Sequence, residues 1–424
     1  MTVKQNLAIR FFPLFSPYVV ITGLLFFLSA VANAQDPGVR NDNLIPIRDL
    51  GDFVRRVLKK EVDTAKAAKP AKMTILPSIG YNPSFGFVIG AKISAIKQYG
   101  VPENTSLSSF GLEGIYSTKG VVTGQARHNV FTEANKWNFQ GNWQLSKFLI
   151  ADYGIGTGNK EEYRHQSDST FLIRFTFIRL TEKVYRRIGP HLFAGGGISF
   201  DIRTNINDEQ LRVLPSSPHK RYGLRNDFDS SKYSANGLLI ALQYTTREHP
   251  LRSYGGAYLD FSLRFNQKWL GSTKNAIQLI YDLRKYISLS KKNPEHVLAF
   301  WHWASYKLSG TVPYLELPAT AYDTYGRSGR AYTMGRFKGP SYACFEGEWR
   351  FPITRDKLVS GVAFLNLQTA SDDLEKKVFQ YWETGGGGGL RILFNKQSRS
   401  TICMDYAVGK YGSRGFFFGL NEVF

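Results

Sequence analysis

Beyond its first 34 residues, this chain of 424 residues has no long uncharged apolar run. A membrane-spanning helix needs about 20 consecutive apolar residues. The sequence after residue 34 contains no such run, which excludes a helical membrane protein. Two classes remain. One is an exported soluble protein, and the other is a β-barrel, which crosses a membrane with strands that satisfy one another's backbone groups.

Cysteine and the usual patterns of catalysis are also scarce. The two cysteines, Cys344 and Cys403, permit one disulfide but lie in strand-like runs, where unpaired thiols are the simpler interpretation. The histidines lack metal-ligand spacing, and no Gly-x-Ser-x-Gly elbow is present. The run from Gly385 to Gly389 lacks the Lys-Ser/Thr of a phosphate-binding loop. There we predict a strand kink or a close approach of backbone. The sequence therefore predicts no enzyme, no metal site and no cofactor.

The first residues are typical of a secretory signal. Lys4 and Arg10 precede an uncharged stretch that closes on Ala32-Asn33-Ala34, a small-x-small cleavage site. We predict that residues 1–34 are removed on export. The alternative is an uncleaved anchor, because the stretch is long enough to span a bilayer.

Composition favours the barrel among the exported classes. The chain has 31 Phe, 23 Tyr and 40 Gly, yet its mean hydropathy is only -0.25. Strands that alternate outward apolar and inward polar residues, with aromatic girdles, produce this combination. The net charge of +20 would suggest nucleic acid in a cytosolic protein, but export and the lack of a nucleic-acid motif argue against that partner. We expect a cationic lumen and rim.

Two regions follow the signal. Residues 35–74 contain apolar residues at helical spacing between Ile47 and Leu58, then a Lys-rich linker in which Pro70 blocks further helix. We predict a short periplasmic helix there. Residues 75–424 read as an alternation of strand and turn. Fifteen candidate strands can be counted, the first at 77–98, and one has been merged or missed. Because single-chain bacterial barrels have even strand numbers, we predict sixteen strands in an all-β, transmembrane antiparallel barrel.

The longer polar stretches of this region predict extracellular loops at 205–229, 309–337 and 369–381. The last strand predicts a lipid-facing closing strand that also serves as the terminal insertion signal. Phe416, Phe418, Leu420 and Phe424 share one face at period two, with Gly419 opposite and Glu422 as the irregular position. A final sandwich strand of a soluble protein is the alternative for this segment taken alone.

Four motifs in order suggest a family. Along the chain they are Thr246-Arg247-Glu248-His249-Pro250, Gly335-Arg336-Phe337 with Gly339, Glu348-Trp349-Arg350-Phe351-Pro352, and the C-terminal hairpin motif Gly388-Gly389-Leu390-Arg391 with Asp405-Tyr406. Across residues 75–424 the chain resembles the bacterial surface antigen superfamily, the BamA/TamA-like outer-membrane assembly barrels and their secretion relatives. The resemblance implies a location in the outer membrane of a Gram-negative bacterium.

The resemblance also implies a locked loop. Arg336 would fold into the lumen and pair with Glu348 or Glu346, because the guanidinium fork suits inward carboxylates. Asn366 stands where the family has a second acid, which departs from the usual lock. Only about 40 residues lie between the predicted signal and the barrel, so the chain looks like a barrel-only member without tandem periplasmic domains.

The function implied is insertion, translocation or surface display of other outer-membrane components, with the seam between first and last strands as the working element. Gly86 and Gly90 would weaken the first edge. The implied partners are outer-membrane lipids, client outer-membrane proteins and a separate periplasmic-domain protein. The alternative is a passive, anion-preferring channel, and a lipase is a third interpretation that lacks a nucleophile motif.

Overall fold

The computed structural model describes residues 46–58, 73–82, 86–158, 172–208, 217–372, 374 and 377–424. The predicted signal at 1–34 and the linker at 66–72 lie outside these ranges.

The chain folds into one sheet of sixteen antiparallel strands, in which each strand pairs with its neighbours in sequence. The predicted fold class is therefore confirmed. The strands are β1 (Met73–Asn82), β2 (Gly86–Lys97), β3 (Ser108–Ser117), β4 (Val122–Phe131), β5 (Trp137–Ala151), β6 (Leu172–Gly189), β7 (Leu192–Asp208), β8 (Tyr233–Thr245), β9 (Gly256–Asn266), β10 (Ala276–Ser288), β11 (Val297–Gly310), β12 (Ser341–Pro352), β13 (Val359–Ala370), β14 (Glu383–Asn395), β15 (Ser400–Gly409) and β16 (Arg414–Leu420). Two α-helices accompany them, α1 (Leu50–Val57) and α2 (Pro218–Asn226).

The strand missing from the fifteen candidates lies within the first candidate. The candidate at 77–98 is a hairpin of β1 and β2, paired from Met73 with Ala95 to Asn82 with Gly86. The Asn82-Pro83 dipeptide is a turn signal that the surrounding alternation concealed. Gly86 and Gly90 consequently lie on β2, which pairs on both sides, and the prediction that they weaken the first edge is corrected.

Because the number of antiparallel strands is even, the first strand begins and the last strand ends at the same rim of the barrel. This rim, the terminal end, carries the start of β1, the end of β16 and the turns at 246–255, 289–296, 353–358 and 396–399. The opposite rim, the loop end, carries the long connections at 311–340 and 371–382 that were predicted as loops. The third predicted loop, at 205–229, begins inside β7 and contains α2.

Side chains of the sheet alternate between an apolar exterior and a charged interior. Phe87, Ile240, Phe416 and Phe418 are exposed on the outside. Inward positions carry buried charges, among them Asp201, Asp260, Glu346, Glu348 and Arg391. An outward apolar band around a polar lumen is the pattern of a barrel in lipid. In the described ranges, neither α-helix has the length and apolar character needed to cross a bilayer.

The first and last strands meet at a seam. They approach one another, but within the described residues no paired register joins them. β16 has seven residues and β1 has ten, and Pro77 on β1 has no N–H to donate. The seam is therefore the weakest junction of the sheet.

The last four residues do not continue the outer face. Asn421 has a φ of 68°, and this left-handed position ends β16 and turns the chain into the lumen. Phe424 is only 5% exposed, and its ring stacks on Trp301 at 5.2 Å between centroids. Phe416 and Phe418 are exposed on the outer face of the sheet, whereas Leu420 and Phe424 are buried.

α1 begins at a capping box in which Asp49 and Asp52 accept each other's backbone N–H. The helix is fixed to the terminal end by its polar side. Lys396 donates to Asp52 at 2.7 Å, and the backbone N–H of Arg48 donates to the carbonyl of Asp356 at 3.0 Å. Although burial alone raises it, the hydrogen bond from Lys396 and that from the Asp49 backbone lower the pKa of Asp52.

Candidate functional site: the insertion loop and its acidic wall

The connection between β11 and β12, which we call the insertion loop (residues 311–340), folds back into the barrel. At its centre is the Arg330 guanidinium. Its nitrogens donate to Glu346 at 2.5 and 3.1 Å, to Glu348 at 2.9 Å and to Asp405 at 2.7 Å. The face of the guanidinium lies 3.5 Å from the centroid of the Phe364 ring. Arg330 and all three acids are buried.

The arginine in this position is not the predicted one. Glu346 and Glu348 both bind Arg330, six residues before Arg336. Asn366 also belongs to the site, since its amide donates to the carbonyl of Arg330 at 2.7 Å. Arg336 instead lies over the ring of Tyr153, 4.2 Å from its centroid, and no carboxylate in the described residues pairs with it. The available signal was Gly329-Arg330-Ala331-Tyr332, a looser Gly-Arg-aromatic pattern than Gly335-Arg336-Phe337.

The other residues of the predicted motif shape the loop instead of binding the acids. Gly335 has a φ of 78°, which favours glycine, and its N–H donates to the carbonyl of Thr320 at 3.0 Å. Phe337 is buried edge-on against Tyr332, with centroids 4.8 Å apart. A Cβ on Gly339 would lie 1.9 Å from the carbonyl oxygen of Ser371. These residues fix the path by which the loop re-enters β12.

The glycine run of β14 provides room for the loop, as the predicted close approach requires. A Cβ on Gly385 would lie 3.0 Å from the carbonyl oxygen of Arg330, and one on Gly409 would lie 2.6 Å from the Tyr332 ring. At Gly389 it would lie 2.0 Å from Oδ1 of Asp405 and 2.5 Å from the backbone oxygen of Met404. Side chains at these positions would displace the loop or the acids that hold it.

The ion-pair network extends from the loop to the end of the chain's last strand. Arg391 donates to Asp405 and also to Glu422, the latter at 2.7 Å. Arg350 donates to Glu348 at 3.3 Å and to the backbone oxygen of Phe424 at 2.9 Å. Glu422, the irregular position of the terminal strand, is thus a buried partner of the network and does not face lipid.

A second contact joins the insertion loop to the same residues directly. The guanidinium of Arg327 donates to the backbone carbonyls of Leu420 at 2.7 Å and Asn421 at 3.3 Å, and to that of Glu422. Leu420 is the last paired residue of β16, and the other two carbonyls follow it directly. The loop therefore holds the end of the strand that borders the seam.

The lumen contains a cavity of about 290 Å³ that is lined by charges of both signs. Its lining has eight Lys and Arg side chains, among them Lys92, Arg127, Arg247 and Arg327, and five carboxylates, so the cations are in excess. Lys92 and Arg127 share one carboxylate, Glu113, at 3.0 and 3.3 Å. Such a lining attracts anions, but the loop and the inward-turned residues 421–424 occupy much of the barrel's interior.

The described part of the site holds neither a cluster of metal-ligand side chains nor a disulfide. Across the described residues, no group of three His, Cys, Asp or Glu side chains is arranged to hold a metal ion. Cys344 and Cys403 are both buried and unpaired.

His249 lies in the turn between β8 and β9, outside the membrane-spanning strands. Its Nδ1 accepts the backbone N–H groups of Leu251 and Arg252, each at 3.2 Å. The ring is buried. Burial, together with the nearby charges of Arg399, Arg247 and Arg252, lowers the pKa of His249 to about 3. The ring is therefore neutral in the folded protein at neutral pH.

This neutral histidine predicts a loss of stability in acid. Its pKa is lower in the folded than in the unfolded chain, so its contribution is complete above about pH 6.5 and is lost as the pH falls towards 3. By pH 5 the loss is about 2 kcal/mol. His249→Asn keeps a side-chain acceptor for this turn but does not titrate. We expect the variant to lose less stability than the parent between pH 7 and pH 5 in urea unfolding. Equal losses would contradict the assignment.

The fold and the site together define a class, the sixteen-stranded antiparallel barrel with a long connection folded inside. The sequence matches the model of the Omp85 superfamily domain over residues 78–424. The chain belongs to this superfamily of outer-membrane β-barrels, and the family resemblance seen in the sequence is confirmed.

Solved structures support the fold. The barrel is similar to BamA from Haemophilus ducreyi lacking POTRA domains 1-3, with a TM-score of 0.52, 13% identity, and coverage of 82% of this chain and 70% of that one. It is also similar to CdiB from Escherichia coli, with a TM-score of 0.54, 9% identity, and coverage of 84% and 63%. The chain thus spans less than two thirds of CdiB. Comparison with curated proteins gives no significant match.

Proposed function

We propose that this protein acts in the insertion, translocation or surface display of other outer-membrane components. The observation that carries the proposal is the seam, where β1 and β16 approach without a paired register in the described residues. The unpaired backbone of an edge strand can template an incoming strand. This role needs no catalytic chemistry from the barrel.

The insertion loop supports the proposal because it is fixed next to the seam. Arg330 binds the wall at β12 and β15, and Arg327 binds the carbonyls at the end of β16. Clients would be other outer-membrane proteins or lipids. We also propose that a separate periplasmic-domain protein delivers the clients.

A passive anion-preferring channel is the second candidate, and the basic lining of the cavity favours it. Lys92, Arg127, Arg247 and Arg327 would select anions. The filled lumen favours a small conductance. A large, steady and anion-selective conductance of the purified barrel in planar bilayers would support the channel over the assembly role.

Depletion in cells tests the assembly role. We expect depletion to lower the amounts of other barrels or lipoproteins in the outer membrane, measured by quantitative mass spectrometry of membrane fractions. Re-expression of the chain should restore them. Unchanged amounts would contradict the proposal. A periplasmic-domain protein that co-purifies with the barrel would identify the delivery partner.

A further inference from the structure

α1 contacts the barrel with its polar side, whereas a helix that packs on a protein in water contacts it with its apolar side. Its contacts with the terminal end come from polar groups: Asp52 with Lys396 at 2.7 Å, the carboxylate of Asp49 with the N–H of Lys396 at 3.2 Å, and the backbone of Arg48 with Asp356. Asp52 is the one residue of the helix that is buried.

The apolar side of α1 points away from this attachment. Phe53 is 49% exposed, Val54 45%, Val57 64% and Leu58 61%. Residues one, four and five positions apart in this pattern share one side of a helix, and Asp52 lies on the opposite side. Leaving four large apolar side chains in water forgoes about 25 cal/mol for each Å² that could be covered, so this side has a partner outside the described chain.

The attachment of α1 lies at the ends of strands whose outer face is apolar. The turns that hold α1 follow β12 and β14, and the outward residues near the same ends of these strands are Trp349, Ile353 and Leu390, all exposed. They belong to the apolar band that faces the membrane. Arg55 pairs with Asp52 at 3.0 Å, whereas Arg56 flanks the apolar side of the helix, and a basic residue beside an apolar face suits the phosphates of a lipid surface.

A protein partner fits this helix less well. A stable protein interface covers about 800 Å² on each partner, which is more than the apolar side chains of an eight-residue helix and its C-cap Leu58 provide. An interfacial helix has no such minimum, because its burial adds to the anchoring that the barrel already supplies.

We propose that α1 is an interfacial anchor, whose apolar side enters the lipid leaflet at the terminal end of the barrel while Arg56 lies at the level of the lipid phosphates. The anchor fixes the rim below β12–β15, where the insertion loop is bound. It rests on the barrel's place in a membrane and is independent of the proposed function.

Spin-label accessibility tests the anchor in the full chain. A nitroxide would be attached at Val57→Cys, and separately at Val54→Cys, in protein reconstituted into vesicles that contain anionic phospholipid. Both positions are exposed, so the variants should fold, and the native thiols are buried. Phe418→Cys on the outer face is the lipid control, and Lys291→Cys in an exposed turn at the same end is the water control.

We expect the labels at 57 and 54 to resemble the lipid control, with a ratio of oxygen to nickel-complex accessibility several-fold above that of the water control. A ratio equal to the water control would overturn the proposal. Shielding from both reagents would also overturn it, because another segment of the chain, a second copy or a partner protein would then cover the helix.

The proposed contact of Arg56 with lipid phosphates is tested in the same vesicles. Arg56→Gln, added to Val57→Cys, should lower the ratio in vesicles with anionic lipid and have little effect in uncharged vesicles. The same ratio with and without Arg56 in anionic vesicles would contradict the role given to the phosphates.

Discussion

Arg330→Ala should destabilise the folded barrel by about 3–5 kcal/mol, because it leaves buried carboxylates without their cation. Glu346, Glu348 and Asp405 all face this guanidinium. The expected result is a lower unfolding midpoint in urea, and loss of the heat-modifiable folded band at a lower temperature. Protease should also cut the insertion loop faster in the variant.

Arg336→Ala is the matched control, since it removes an arginine from the same loop. Arg336 contacts the Tyr153 ring and no described carboxylate, so its removal should cost about 1 kcal/mol. Equal effects of the two substitutions would contradict the assignment of Arg330 as the residue that holds the loop. A triple replacement of the acids should make the barrel less sensitive to loss of Arg330, because their charges would no longer be left unpaired.

Gly389→Ala should have the second large effect. Its Cβ would lie 2.5 Å from the backbone oxygen of Met404 on the paired strand β15, and 2.0 Å from Asp405. Asp405 cannot easily move away because Arg330 and Arg391 hold it. Overpacking of this kind costs about 1–3 kcal/mol, and here it also weakens the ion-pair network. We expect a reduced yield of folded barrel after refolding into detergent or lipid.

Gly114→Ala on β3 is the control for that substitution, since a Cβ there meets no atom within 4 Å. It should be neutral or slightly stabilising, because alanine reduces the freedom of the unfolded chain. Similar losses in both variants would indicate a general intolerance of strand glycines and would contradict the proposed packing against Asp405.

The sequence was sufficient to predict the sheet. Alternation along the strands and the even-number rule led to sixteen strands, and the merged hairpin of β1 and β2 was the missing one. The glycine run of β14 was also interpretable, because five successive glycines exclude both a helix and ordinary strand packing.

The site was predicted in part. Glu348 and Asn366 were named through the resemblance to the family, and Glu346 because it lies two residues before Glu348 on the same face. The choice of Arg336 over Arg330 was wrong as a pairing, since local motif spacing does not tell which arginine reaches a wall that is distant in sequence. Asp405 was named only as part of a C-terminal hairpin motif. The contact of Arg327 with backbone carbonyls could not be predicted, because every residue has a carbonyl and such acceptors give no sequence pattern.

The inward turn of the last residues was missed for a related reason. Period two places Phe424 with Phe416 and Phe418, but a single left-handed residue, Asn421, ends the alternation. Glu422 was the one visible sign, because a buried carboxylate requires cations on the same side, and Arg391 supplies one.

The hold of Arg327 on the carbonyls of Leu420, Asn421 and Glu422 makes withdrawal of the insertion loop and release of the β16 end thermodynamically linked. A molecule that binds the barrel more tightly when the loop is withdrawn must also favour release of the strand end. Release of the strand end, in turn, favours binding of that molecule by the same free energy. A client that pairs with the freed end would therefore draw the loop out, without needing to touch the loop itself. Because of this linkage, binding of a client at the terminal end would change the position of the insertion loop at the loop end of the barrel.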